Sequence, residues 1–347
     1  MAATRSYQLR SADAQRRIEE LLVELAVPAA HRRPLGELLT TVLKMHEDGG
    51  ALVDLKIANN ALKELRHGFR VFAPYRDVRK VTVFGSARVA PDRPISDQAR
   101  AFGRRMREVG WMVMTGAGSG IMGAAQEGAG REGSFGLNIR LPFEQEPNPW
   151  IAGDPKLISF RYFFTRKFFL VREAYAMAFL PGGFGTWDEA FETLTLIQTG
   201  KTPVLPVVLL DAPGGSYWRD LLEFVRKEML TPGMISPEDL GLVRICEDVE
   251  DAVAEIQRFY RVFHSMRKVG EVLALRLAHA VPSEMLAAID EQFADILRGP
   301  ARLEPGPLPA EGREHPDLPR LVLPFMRSRF ARLRPLIDLV NEAPRPV

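Results

Sequence analysis

The chain has 347 residues, 46% hydrophobic and 26% charged, which is enough for one large α/β domain with extensions or for two domains with a real core. Lys and Arg number 46 against 44 Asp and Glu, and the resulting formal charge of +2 argues against nucleic acid as the main partner. The single cysteine, Cys246, rules out an internal disulfide, and six histidines without ligand spacing point to no structural metal.

The first residues, MAATRSYQLR, contain no apolar signal core. No apolar run approaches the roughly 20 residues needed to cross a bilayer, so a cytoplasmic protein without a membrane partner is expected. From 11 to about 75, Ile18, Leu21, Leu22, Leu25, then Leu35, Leu38, Leu39, Val42, then Leu62, Leu65 and Phe69 recur at helical spacing. At Lys80 the pattern changes to short β-rich runs alternating with helical stretches: VTVF (81–84), WMVMT (111–115), FGLNIRLP (135–142), AMAFL (176–180) and PVLPVVLL (203–210). Such alternation predicts βαβ units and a mostly parallel sheet. Helical patterns resume after Ser216 and run through Phe259 to Leu297, and a stretch at 300–319 with six prolines reads as a surface linker. The segment 321–340 reads as a terminal helix. The expected organisation is a helical N-terminal extension (1–78), a catalytic domain (79–262) and a helical C-terminal extension (263–347). The apolar stripes of the arms predict that they cover the core and extend an interface between copies.

Two glycine loops follow strands. GAGSGIMG (116–123) places Gly116, Gly118 and Gly120 beyond the carboxyl end of WMVMT, where α/β sheets bind ligands. A dinucleotide fingerprint would need glycine where Ile121 stands and an acidic residue near Pro142, so NAD is not expected. PGGFGT (181–186) follows AMAFL and opens a helix. Its free amides and dipole favour an anion such as a phosphate, with Thr186 as cap. Both loops are also compatible with tight turns alone. GKT at 200–202 lacks the glycine five residues earlier that a P-loop needs.

Upstream, FRYFFTRKFFLVREAYAM is aromatic on nearly every face, which predicts a buried helix. Arg166 facing the second loop would hold a phosphate or carboxylate, and an internal ion pair is the plainer alternative. Asp188 and Glu189 fall in the first turn of the next helix, where the dipole favours carboxylates without any function. Glu189 returns to the face of Thr186 three residues earlier, and beside a phosphate a carboxylate would face something cationic, such as an oxocarbenium-like ribose.

PGGFGTWDE resembles the PGGxGTxxE motif of the LOG (Lonely Guy) family, and TRK at 165–167 resembles the end of its companion MHxRK motif. The resemblance covers about 80–260 and is closer to the larger bacterial members. It implies a Rossmann-like, doubly wound α/β fold, usually a homodimer, and phosphoribohydrolysis of nucleoside monophosphates, including cytokinin nucleotides; members were often labelled lysine decarboxylases. Carried over by position, it implies Arg166 and Glu189 as catalytic and Lys167, Gly182, Gly183, Gly185 and Thr186 as substrate-binding. Ser86 and the first loop, including Gly116, Gly118, Ser119 and Gly120, would line the nucleotide site. Phe163 and Phe164 replace Met-His of the motif, and Ala117 and Ser119 stand where many relatives have Gly or Pro. The expected substrate is AMP or a related purine nucleotide, with no cofactor and no metal. A non-catalytic nucleotide or phosphorylated-cofactor carrier of the same fold is the alternative. A pyridoxal-phosphate enzyme with Lys167 as Schiff base is disfavoured for want of an acidic partner for the pyridine nitrogen.

Overall fold

The computed structural model describes residues 7–141, 146–312 and 314–344. It divides into two compact units, Met1–His67 and Gly68–Val347. The first unit holds α1 (Ala12–Glu24), α2 (Ala29–Glu47) and most of α3 (Leu52–Phe72). Ser11 caps α1, its hydroxyl accepting from the Ala14 amide at 3.2 Å. Leu9, Ile18 and Leu22 form the small core, while Leu21, Leu25, Leu35, Leu38, Leu39, Val42 and Leu62 of the expected apolar stripes are exposed.

The second unit is built on β1 (Lys80–Phe84), α4 (Pro94–Glu108), β2 (Met112–Thr115), α5 (Ile121–Ala129), β3 (Ser134–Ile139), β4 (Leu157–Phe160), α6 (Phe163–Arg172), β5 (Ala176–Phe179), α7 (Phe184–Gln198), β6 (Val207–Leu210), α8 (Tyr217–Val225), α9 (Pro237–Leu240), β7 (Val243–Cys246) and α10 (Val249–Phe259). The strands form one seven-stranded sheet in the order β4-β3-β2-β1-β5-β6-β7, parallel at every pairing. All residues of β1, β2, β5 and β6 are buried, as expected of parallel strands covered on both faces, and this explains why they read as continuous apolar runs. Phe102, Met106, Val113, Val208 and Ile256 lie in the core on one side of the sheet. The direction of winding reverses between β1 and β5, so loops after these strands diverge and leave a crevice at the carboxyl end of the sheet. No described helix is long and apolar enough to cross a membrane.

The expectation of a helical C-terminal extension is corrected. Beyond 262 the chain forms β8 (Phe263–Val269), β9 (Val272–Leu277), α11 (Ser283–Gln292), β10 (Arg302–Glu304), β11 (Arg320–Leu323) and α12 (Leu333–Val340). The four strands make an antiparallel sheet in the order β10-β11-β9-β8. Gly270, at φ +57°, makes the β8–β9 turn that a left-handed residue allows. The proline-rich stretch 300–319 is not a loose linker either. It contributes β10 and a 3₁₀ turn, Pro309–Glu311, that buries Glu311 between Arg276 and Arg320. The terminal helix expected over 321–340 is confined to α12, because Leu321, Val322 and Leu323 pair with β9.

Candidate active site

Three loops leave the carboxyl ends of the adjacent strands β2, β1 and β5: 116–120, 85–88 and 181–186. Backbone bonds knit them together. The Ser86 amide donates to the Pro181 carbonyl at 3.1 Å, and the Ile121 amide to the Ser86 carbonyl at 3.0 Å. The Ser119 hydroxyl donates to the Ala87 carbonyl at 3.0 Å. Gly120, at φ +62°, lies where a Cβ would come within 2.3 Å of the Ser86 carbonyl oxygen, so only glycine fits. Ala117 takes a left-handed φ of +62° without being glycine. The buried Asn148 holds it there: its backbone amide donates to the Ala117 carbonyl at 2.9 Å, and its Nδ2 donates to Ala117 and Gly118 carbonyls at 3.1 and 2.9 Å.

The loops surround a cleft of about 770 Å³. Nine of the residues singled out by sequence line it: Ser86, Gly116, Gly118, Arg166, Gly182, Gly183, Gly185, Thr186 and Glu189. Ser119 and Gly120 shape the loops behind it, and Lys167 stands behind Glu189. Arg88, Asn138 and Tyr217, which sequence reasoning missed, also line the cleft. Nothing in local spacing marks Asn138 or Tyr217, since β3 and α8 reach the crevice only through the order of the strands.

Gly183 is the N-cap of α7, so Thr186 sits in the first turn and not at the cap as expected; its side chain is buried against Gly182. The Thr186 and Trp187 amides donate to the Gly183 carbonyl at 3.0 and 3.2 Å, which leaves the Phe184 and Gly185 amides, ahead of the first helical acceptor, at the wall of the cleft. A Cβ at Gly183 or Gly185 would meet no atom within 4 Å, so both glycines border open space. The loop is braced from outside: Tyr217 Oη donates to the Gly182 carbonyl at 2.6 Å, and Trp187 Nε1 donates to Tyr217 Oη.

A charged cluster joins α7 to α6 in the same cleft. Arg166, in the first half of α6, brings Nη2 to 3.8 Å from Glu189 Oε1, and Lys167 Nζ is 3.8 Å from Glu189 Oε2. Both separations are attractive but too long for hydrogen bonds. Arg166 Nε, Glu189 Oε2 and Thr193 Oγ1 are buried polar atoms without a hydrogen-bond partner in the described structure. Lys167 is held elsewhere, at 2.8 Å from both Asp188 and Glu192. Burial pushes the Glu189 carboxyl up to about 7, against the pull of Lys167 and Arg166. Burial also draws Arg166 below its ordinary value, whereas Lys167 is raised because its bonds to Asp188 and Glu192 outweigh its burial. A carboxylate that titrates near neutrality therefore sits close to a helix end ready for an anion, a combination typical of functional sites.

The helix carrying Arg166 is not buried on every face, as its aromatic content had implied. Phe169 and Leu170 are buried, but Phe163, Phe164 and Phe168 are 51%, 58% and 41% exposed. With ten residues packed against β3 and β4, α6 has one inner face, and the remaining aromatics border solvent. The Phe163 ring lies 5.2 Å from the Arg166 guanidinium.

Residues 122–256 match the family described as "Possible lysine decarboxylase". Over 182 residues the chain is 30% identical to a cytokinin riboside 5′-monophosphate phosphoribohydrolase of Rhodococcoides fascians, covering 52% of this chain and 89% of that protein. It is 27% identical over 150 residues to an Arabidopsis thaliana protein of the same name, covering 43% and 66%. Among solved structures, the molybdenum cofactor carrier protein from Chlamydomonas reinhardtii aligns with 52% of this chain and 97% of its own, at 22% identity and a TM-score of 0.37. The match to the Rhodococcoides fascians enzyme spans nearly all of that protein, the family match at 122–256 takes in the PGGFGT loop with Glu189, and the chain belongs to the LOG family of phosphoribohydrolases.

Proposed function

We propose that the protein hydrolyses the N-glycosidic bond of a purine nucleoside 5′-monophosphate, AMP or a close relative, to the free base and ribose 5-phosphate. The observation that carries this reading is Glu189: a buried carboxylate with an unpartnered oxygen, 3.8 Å from Arg166, in a cleft that the first turn of the same helix, α7, also lines. The amides at the start of α7 receive the 5′-phosphate, and Arg166 orients the nucleotide and favours the ionised form of Glu189. As the C1′–N bond breaks, positive charge grows on the ribose, and Glu189 stabilises it and takes up a proton from the attacking water. The water oxygen becomes bonded to C1′, and the proton lost from water balances the one gained by the base. Because the phosphate anchors the substrate through two or three charge-assisted hydrogen bonds of roughly 1.5–3 kcal/mol each, AMP should be cleaved at least about 100-fold more efficiently than adenosine. Comparison of kcat/KM for the two tests the reading, and equal values would remove the phosphate clamp.

A further inference from the structure

We propose that the second unit carries a second anion site, for a small phosphorylated molecule, at the amino-terminal edge of the parallel sheet. A pocket of about 390 Å³ opens there, walled by Arg76, Arg172, Tyr175, Thr202, His264 and Ser265 over an apolar floor that includes Val171, Val204 and Phe263. Its lining includes the residues just before β5 and β6, whereas the active-site cleft lies beyond the carboxyl ends of β1, β2 and β5, and the two share no lining residue. The volume suits a compound the size of a sugar phosphate.

The charge around this pocket is predominantly positive. Arg76 is exposed and makes no ion pair among the described residues. Arg79, whose guanidinium lies 4.3 Å from the Tyr260 ring at the pocket wall, is likewise paired with no carboxylate among them. Of the acids, Glu173 itself lines the pocket but is shared between Arg172 and Lys80, and Asp77 is exposed to solvent. His264 reports the field. Its charged neighbours His315, Arg79, Arg276 and Arg320 all oppose its protonation and, with burial as the larger cause, push it down to about 4. Burial opposes charge of either sign, but the cations that oppose its protonation favour an anion over a cation in the same place. Arg76 presents a planar fork that matches phosphate oxygens, Arg172 adds positive charge beside it while bonded to Glu173, and the hydroxyls of Thr202 and Tyr175 line the same pocket, whereas that of Ser265 is bonded to His264 Nδ1 at 2.9 Å.

Isothermal titration of the full chain with ribose 5-phosphate tests the proposal. That probe also suits the active-site cleft, so the decisive titration uses Gly183→Val, whose side chain projects into the open space at the start of α7 and is expected to displace the probe's phosphate from there. The Gly183→Val chain should still bind one equivalent, and adding Arg76→Glu should weaken that binding at least tenfold. The His264 ring resonance, assigned by its loss in His264→Gln, should move during the same titration. No binding to Gly183→Val, or binding that ignores Arg76→Glu and leaves the His264 resonance in place, would overturn the second site. Neither outcome depends on whether the protein cleaves nucleotides.

Discussion

Glu189 combines two demands that pull against each other. Its folded-state value of about 7 lies above the ordinary 4.5, so the native state holds the proton more tightly than the unfolded chain does. The ionised group therefore costs stability, fully above pH 7, with the cost relieved as pH falls toward 4.5. Activity runs the other way, since the ribosyl cation needs the carboxylate. The rate of nucleotide cleavage should fall as pH drops through about 7, while Glu189→Gln should raise the melting temperature at pH 8 more than at pH 5; a melting temperature lowered equally at both would contradict the burial argument. Asp188, 61% exposed and bonded to Lys167, should show neither effect as Asp188→Asn. The pairing of Glu189 with Thr186 on one helix face was legible from their three-residue spacing. The capture of Lys167 by Asp188 and Glu192 was not, because it depends on side chains of α6 and α7 meeting across the cleft, a tertiary fact without local signature.

At the level of elements, the loop between β5 and α7 makes opposite demands on its glycines. A Cβ at Gly182 would fall 2.1 Å from Thr186 Oγ1 and 3.0 Å from the Ser86 amide nitrogen, whereas one at Gly185 would meet open cleft. Gly182→Ala should therefore cost about 1–3 kcal/mol of stability through overpacking. Gly185→Ala should hold or gain up to about 1 kcal/mol through helix propensity, yet raise KM for the nucleotide by intruding where the phosphate sits. Urea denaturation with steady-state kinetics separates the two, and equal stability losses would mean that the loop closes on itself. The strands of the parallel sheet that are buried on both faces were legible as apolar runs. β4 and β7, four residues each and interrupted by Ser159 and Arg244, were not. β8 and β9 were missed because the apolar residues from Phe259 onward mimic helical spacing, and only their pairing across Gly270 resolves the ambiguity.

For the molecule as a whole, the C-terminal sheet buries an ion-pair network beside its apolar core. Glu311, with no side-chain exposure, bonds Arg276 at 3.0 Å and Arg320 at 3.1 Å, and Arg320 is itself fully buried. Removing the acid while leaving both arginines in place should destabilise the chain by roughly 3–5 kcal/mol, so Glu311→Ala should show a large drop in denaturation midpoint. An unchanged midpoint would mean that water already satisfies the arginines. No such network could be read from the proline-rich stretch, where composition pointed to a solvated linker. The parallel sheet, by contrast, brings together loops that the glycine motifs had already marked, which is why most of the cleft was legible before its shape was known. The most direct test of the proposed reaction is chromatography of AMP after incubation with the wild-type chain and with Glu189→Gln. The wild type should release adenine and ribose 5-phosphate, and Glu189→Gln should bind AMP comparably but turn it over at least about 100-fold more slowly. Intact AMP with the wild type, or equal turnover by the two, would contradict the account.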